Sequence, residues 1–182
     1  MISENRVFHT AVFDALCACL NLSAAEGVKL IHEAYAEPEN VPRPARNRNV
    51  IYWTILRDPS SDPVSTVFQS FAAGAGRNTP VVYTTLKYQL LIVCYGPAAE
   101  EYALRIRHML FLDGAGFPRR ILRDAGIFPV PDPLQPALLH EEEGSLWRKR
   151  ADLTISLRVR EEERSPSRNS ISSTPAVRII KN

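Results

Sequence analysis

The chain is short of most residues on which chemistry is built. Among its 182 residues there are three cysteines, four histidines and two methionines. Cys17, Cys19 and Cys94 form an odd set with no metal-ligand spacing. Cys17 and Cys19 stand two apart on a helix-like segment, so they face different directions and do not bridge. Cys94, inside an apolar run, reads as a small buried hydrophobe. Such usage implies synthesis in a reducing cytosol. No stretch approaches membrane-spanning length, and no basic segment precedes an apolar core at the start, so the chain is expected to be soluble and not exported. Excess charge is lacking too. A formal net charge of +2 excludes a bulk pull toward nucleic acid or membrane.

What the chain does have is an apolar fraction of 45%, enough for a sizeable core in one domain. It also has arginine in large excess over lysine, clustered at Arg43/Arg46/Arg48, Arg119/Arg120/Arg123 and Arg148/Arg150. Arginine is the cation favoured in interface forks and phosphate contacts.

The apolar pattern predicts the elements. Residues 5–20 carry apolar groups at helical spacing, with Ser3 or Asn5 as caps. Gly27 opens residues 28–34, which read as a strand or a continued helix, with the balance toward strand. Residues 37–49 hold three prolines and no periodicity, the mark of an extended exposed arm. Residues 50–56 are β-branched and aromatic and predict a strand. Residues 57–63 predict a turn, and 64–71 the returning strand. Residues 72–80, with Gly74 and Gly76, form a mobile loop before a long strand over 81–95. On that strand Leu86, Tyr88, Leu90, Ile92 and Cys94 share one face. The other face turns apolar at Leu91, Val93 and Tyr95, so its second half is expected to be covered on both sides, by a helix layer or a neighbouring subunit.

Pro97 at a first turn, Glu100 and Glu101 near the positive end and Arg107 and His108 near the negative end predict a helix with a stripe of Ala99, Tyr102, Ala103, Ile106, Met109 and Leu110. A shorter helix follows over 118–125. Residues 127–144 pass four prolines and predict an irregular connection. Residues 152–160 alternate, with Leu153, Ile155, Leu157 and Val159 on one face and Thr154, Ser156, Arg158 and Arg160 on the other. That is an antiparallel strand with one wet face. Residues 165–174 predict a polar linker, and 177–180 a final short strand.

No catalytic constellation is visible. His140-Glu141-Glu142-Glu143 lacks the second histidine that a zinc-protease helix needs, and reads as a solvated acidic turn. His9, His32 and His108 lie on different elements without a nucleophile. Gly74-x-Gly76 lacks the lysine of a phosphate loop. Catalytic residues, metal ligands and cofactors are therefore expected to be none. The arm at Arg43, Arg46 and Arg48 could hold phosphates, but without interleaved aromatics its plainer use is packing against a partner chain. Trp147 with Arg148 and Arg150 reads either as a strand anchor or as an interface hot spot. The candidate interface set is Arg43, Arg46, Arg48, Trp53, Arg77, Trp147, Arg148 and Arg150.

The helix, the Pro-rich arm, the aromatic strand pair, the run 88–96 with its helix, and the Trp–Arg–Ala–Asp strand ending in 143–157 together resemble phage neck or tail-terminator proteins, over about residues 28–160. The resemblance implies a non-enzymatic virion component assembled in the host cytoplasm. It implies a self-assembled ring, usually a hexamer, that ends the tail tube and meets a head-side connector or stopper protein. In a contractile tail the ring also meets the sheath. Genomic DNA would pass through the lumen without specific binding, and no membrane is involved. The alternatives are another neck component, such as a head-completion or stopper protein, and a small nucleic-acid-binding module using the arm. The expected fold is α+β: an antiparallel sheet of about four strands with helices mainly on one face, in a single domain over 1–164, with a polar tail over 165–182.

Overall fold

In the computed structural model, the described residues are 2–34, 45, 47–58, 64–69, 80–111, 116–131, 135–143 and 146–164. The first helix, α1 (Ile2–Leu20), buries Ala11, Val12, Ala15, Leu16 and Cys19 along one stripe. It begins at Ile2, so Ser3 and Asn5 lie inside it rather than capping it. It stops where Asn21 adopts φ 62°, one of the few non-glycine types that tolerate the left-handed region. The amide of Leu22 then reaches back to the carbonyl of Cys17 at 2.9 Å.

Helix α2 (Ala24–Leu30) corrects the expectation of a strand after Gly27. Ser23 and Glu26 form a reciprocal capping box, the Ser23 amide donating to Glu26 Oε2 at 2.9 Å. That cap sets a helix through Leu30 and leaves only β1 (Ile31–Glu33) extended. Gly27 sits inside the helix because a methyl group there would run into Cys17 Sγ and the Phe13 ring of α1.

Two long strands form the spine. β4 (Pro80–Tyr95) and β7 (Leu146–Arg164) pair antiparallel from Val81↔Arg164 to Tyr95↔Arg150, a ribbon about 50 Å long at ~3.4 Å per residue. Each is flanked by a strand in two pieces. On the β4 side, β2 (Val50–Arg57) runs from Val50↔Tyr95 to Arg57↔Tyr88, and β3 (Val64–Gln69) resumes from Val64↔Thr85 to Gln69↔Pro80. β3 therefore continues β2 in the same direction and does not return against it, because β4 is long enough to template both. On the β7 side, β5 (Ile127–Pro129) and β6 (Ala137–Glu143) lie end to end. Residues 127–144, expected to be irregular, thus supply two strands: their prolines punctuate an edge, where a missing amide is tolerated. β1 adds to β2 in parallel, making a mixed, mainly antiparallel sheet of seven strand segments where about four were expected.

The α+β layering holds as expected. Across the sheet the rungs Ile51–Cys94–Ala151 and Trp53–Ile92–Leu153 are buried, and they face α1, α3 (Ala99–Phe111) and α4 (Phe117–Asp124). Each Leu or Ile so buried contributes roughly 1.5–3 kcal/mol. Among the described residues no helix lies on the opposite face, where Leu91 and Val93 are half-buried and Lys87, Gln89, Thr154 and Arg158 are exposed. Among the described residues no single helix is long and apolar enough to cross a membrane.

Candidate assembly surface

The helix-free face of the sheet is held by a cluster built on Tyr95, the last residue of β4. The Arg148 guanidinium lies 4.7 Å from the ring centroid and that of Arg150 lies 5.6 Å away. Tyr52 of β2 meets the same ring edge-on at 6.1 Å, and His32 of β1 meets Tyr52 at 5.9 Å. The Tyr95 hydroxyl donates to Glu141 Oε2 at 2.9 Å, and Arg150 Nη1 donates to the same oxygen at 3.1 Å. Arg150 also grips Asp152 with both sides of its fork, at 2.7 and 2.8 Å. Burial, and then the hydrogen bond it gives Glu141, push the Tyr95 phenol up to about 12. The same hydrogen bond holds the Glu141 carboxyl below its usual value.

These contacts knit β2, β4, β6 and β7 together at the end of the sheet. Arg148 also donates to the carbonyl of Arg48 at 3.3 Å, and the turn at Gly96 closes on the same segment, with the Ala98 amide donating to Asn49 Oδ1 at 3.0 Å. Beyond the last β4 rung, at Tyr95↔Arg150, the β6–β7 ladder runs on for four more pairs, from His140↔Lys149 to Glu143↔Leu146. All of residues 137–142 are exposed. Trp147 is 67% exposed, Leu138 53% and Leu139 45%. The cluster is the mooring, and the hairpin is what it presents.

A second exposed region lies at the other end of the same sheet edge. Phe117 opens α4 and is largely exposed under Arg120, whose guanidinium lies 5.3 Å from its ring. With Phe128 of β5, Arg119, Arg120 and Arg123 line a cleft of about 290 Å³. A wider groove of about 800 Å³ runs between α1 and α4, past Met109 and Ile121.

The sequence-derived candidates divide accordingly. Trp147 stands free on the hairpin, and Arg48 is exposed at the foot of β2. Arg148 is buried against Tyr95, and Arg150 is committed to Glu141 and Asp152. Trp53 is a correction: at 3% exposure it packs in the core beside His9, because its strand position faces the helices. Arg43, Arg46 and Arg77 lie outside the described residues, as do Gly74 and Gly76. The segment from His140 to Glu143 is a strand and not a turn. Among the described residues no group of three His, Cys, Asp or Glu side chains could hold a metal ion. Leu138, Leu139, Phe117 and Phe128 went unseen as surface residues, since no alternation or periodicity around them marks an exposed apolar position.

A family model described as phage neck terminator protein matches residues 10–181. The chain belongs to that family. No curated protein matches it. Neck terminators are structural components of the phage neck, which places this family member in the virion among other head and tail proteins. An exposed hairpin on a braced sheet end suits such a part.

Proposed function

We propose that the chain forms a ring of six identical subunits that caps the tail tube, stops its growth and joins the tail to a head-side connector or stopper protein. The role is structural and involves no turnover. Assembly takes place in the host cytoplasm, genomic DNA passes through the lumen without specific contacts, and in a contractile tail the ring also meets the sheath. The observation that carries this reading is the exposed β6 edge, residues 137–142, carrying Leu138 and Leu139 beside Trp147 on a neck terminator fold. A free strand edge with apolar side chains is a liability in a lone monomer and an asset in a joint between subunits. Unlike patches meeting head to tail generate a closed ring when the rotation between copies closes.

Electron microscopy of particles made without this chain tests the proposal. Tails of uncontrolled length, unattached to heads, are expected. Tails of normal length joined to heads would overturn it.

A further inference from the structure

The molecule carries two exposed patches of opposite character at opposite ends of one sheet edge. The hairpin end presents Trp147 and Leu138 with Glu142 at the rim. Over residues 137–149 its sequence has three glutamates against Arg148 and Lys149, and Arg148 is buried. The α4–β5 end presents Phe128 on a cleft with Arg119, Arg120 and Arg123, offset only by Asp124, while Phe117 lies under Arg120 on the neighbouring α1–α4 groove. Among the described residues, neither Glu142 nor any of those three arginines has an ion-pair partner. The two patches cannot meet within one chain. Trp147 pairs Glu142 and Arg158 pairs Phe128, so eleven residues of β7 separate them, about 36 Å of strand.

We propose that the β6–β7 hairpin of one copy docks in the α4–β5 cleft of the next, with Trp147 against Phe128 and Glu142 facing Arg120. The proposal rests on the ring reading above and names the two faces of its joint. The occupant is a second copy because the chain itself supplies both halves: apolar with negative charge at one end, apolar with positive charge at the other. Trp and Arg are the side chains that most often dominate such contacts, and an indole seated under a guanidinium adds a cation–π term. Opposite charges at the rim set register and exclude hairpin-to-hairpin pairing.

Full-length protein carrying both Trp147→Cys and Phe128→Cys, oxidised alone and on tail tubes, tests the contact, since the three native cysteines are buried. A ladder of covalent species reaching the full ring is expected. A product that stops at the dimer would overturn the head-to-tail joint, and absence of any cross-link in tube-bound protein would overturn the contact while leaving the ring reading intact. If the chain is missing from tails of normal length, both readings fall together. Independently, Glu142→Arg and Arg120→Glu should each weaken assembly about tenfold, and the double reversal should restore it. A double variant no better than the singles would also sink the proposal.

Discussion

Arg148 lies over the face of Tyr95, 4.7 Å from the ring centroid, while its Nη2 donates to the carbonyl of Arg48. It is the only buried charged residue among those described, and its Nε finds no partner there. Leaving such a donor unsatisfied costs about 1–3 kcal/mol, so stacking and the hydrogen bond must offset it. What the arrangement secures is position. It ties the end of β4 and the segment before β2 to the strand that carries the exposed hairpin.

Gly96 should be irreplaceable at that junction. Its φ is +106°, and an added Cβ would stand 2.6 Å from Asn49 Oδ1 and 2.7 Å from the Arg48 carbonyl oxygen. Gly96→Ala is expected to cost about 1–3 kcal/mol from backbone strain alone, with the clash adding to it. Urea unfolding measures this, and an unchanged midpoint would contradict the geometry.

Stability should fall at both ends of the pH scale through the Tyr95–Glu141 pair, by burial of the phenol and by the hydrogen bond it gives. Tyr95 is raised from 10.0 to about 12, so the folded state holds its proton more tightly, and stability declines as pH rises between those values. Glu141 is lowered from 4.5, so its contribution is present above that value and is lost as pH falls through the folded one. Tyr95→Phe should flatten the alkaline limb and Glu141→Gln the acid limb, as read by thermal unfolding across pH.

The thiols should be silent until the protein unfolds. Burial pushes Cys19 and Cys94 up to about 12, and it raises Cys17 with help from Asp14. Few thiolates then exist at pH 8. A chromogenic disulfide reagent should report almost no reaction with native protein and three equivalents in denaturant; fast labelling of the native form would show the helix layer to be open.

The two tryptophans should separate folding from assembly. Trp53→Ala removes a buried core ring and is expected to cost about 3–5 kcal/mol. Trp147→Ala, at an exposed position, should stay within about 0.5 kcal/mol of the parent while lowering the yield of capped tails. Calorimetry paired with a count of tail lengths checks both.

Much of the fold was legible in the residues. Alternation over 152–160 and the apolar run ending at Cys94 implied the two central strands, and the stripe from Ala99 to Leu110 implied α3, because burial periodicity is a local property of the chain. Gly27 misled, since a glycine can mark a break or a close helix crossing and only the position of Cys17 decides which. Residues 127–144 misled as well: their prolines suppress strand propensity, yet β7 offers an edge to pair with.

The sequence alone determined the long elements, from the first helix through the two central strands and the helix between them, and the helix-facing side of those strands, all of which depend on neighbours a few positions away. Only the tertiary structure decided that Trp53 is buried and Trp147 exposed, and that Arg150 is spent on Glu141 and Asp152 while Arg120 has no ion-pair partner among the described residues. The reason is physical. Exposure and charge pairing depend on which strands lie alongside, and strand partners here come from tens of residues away.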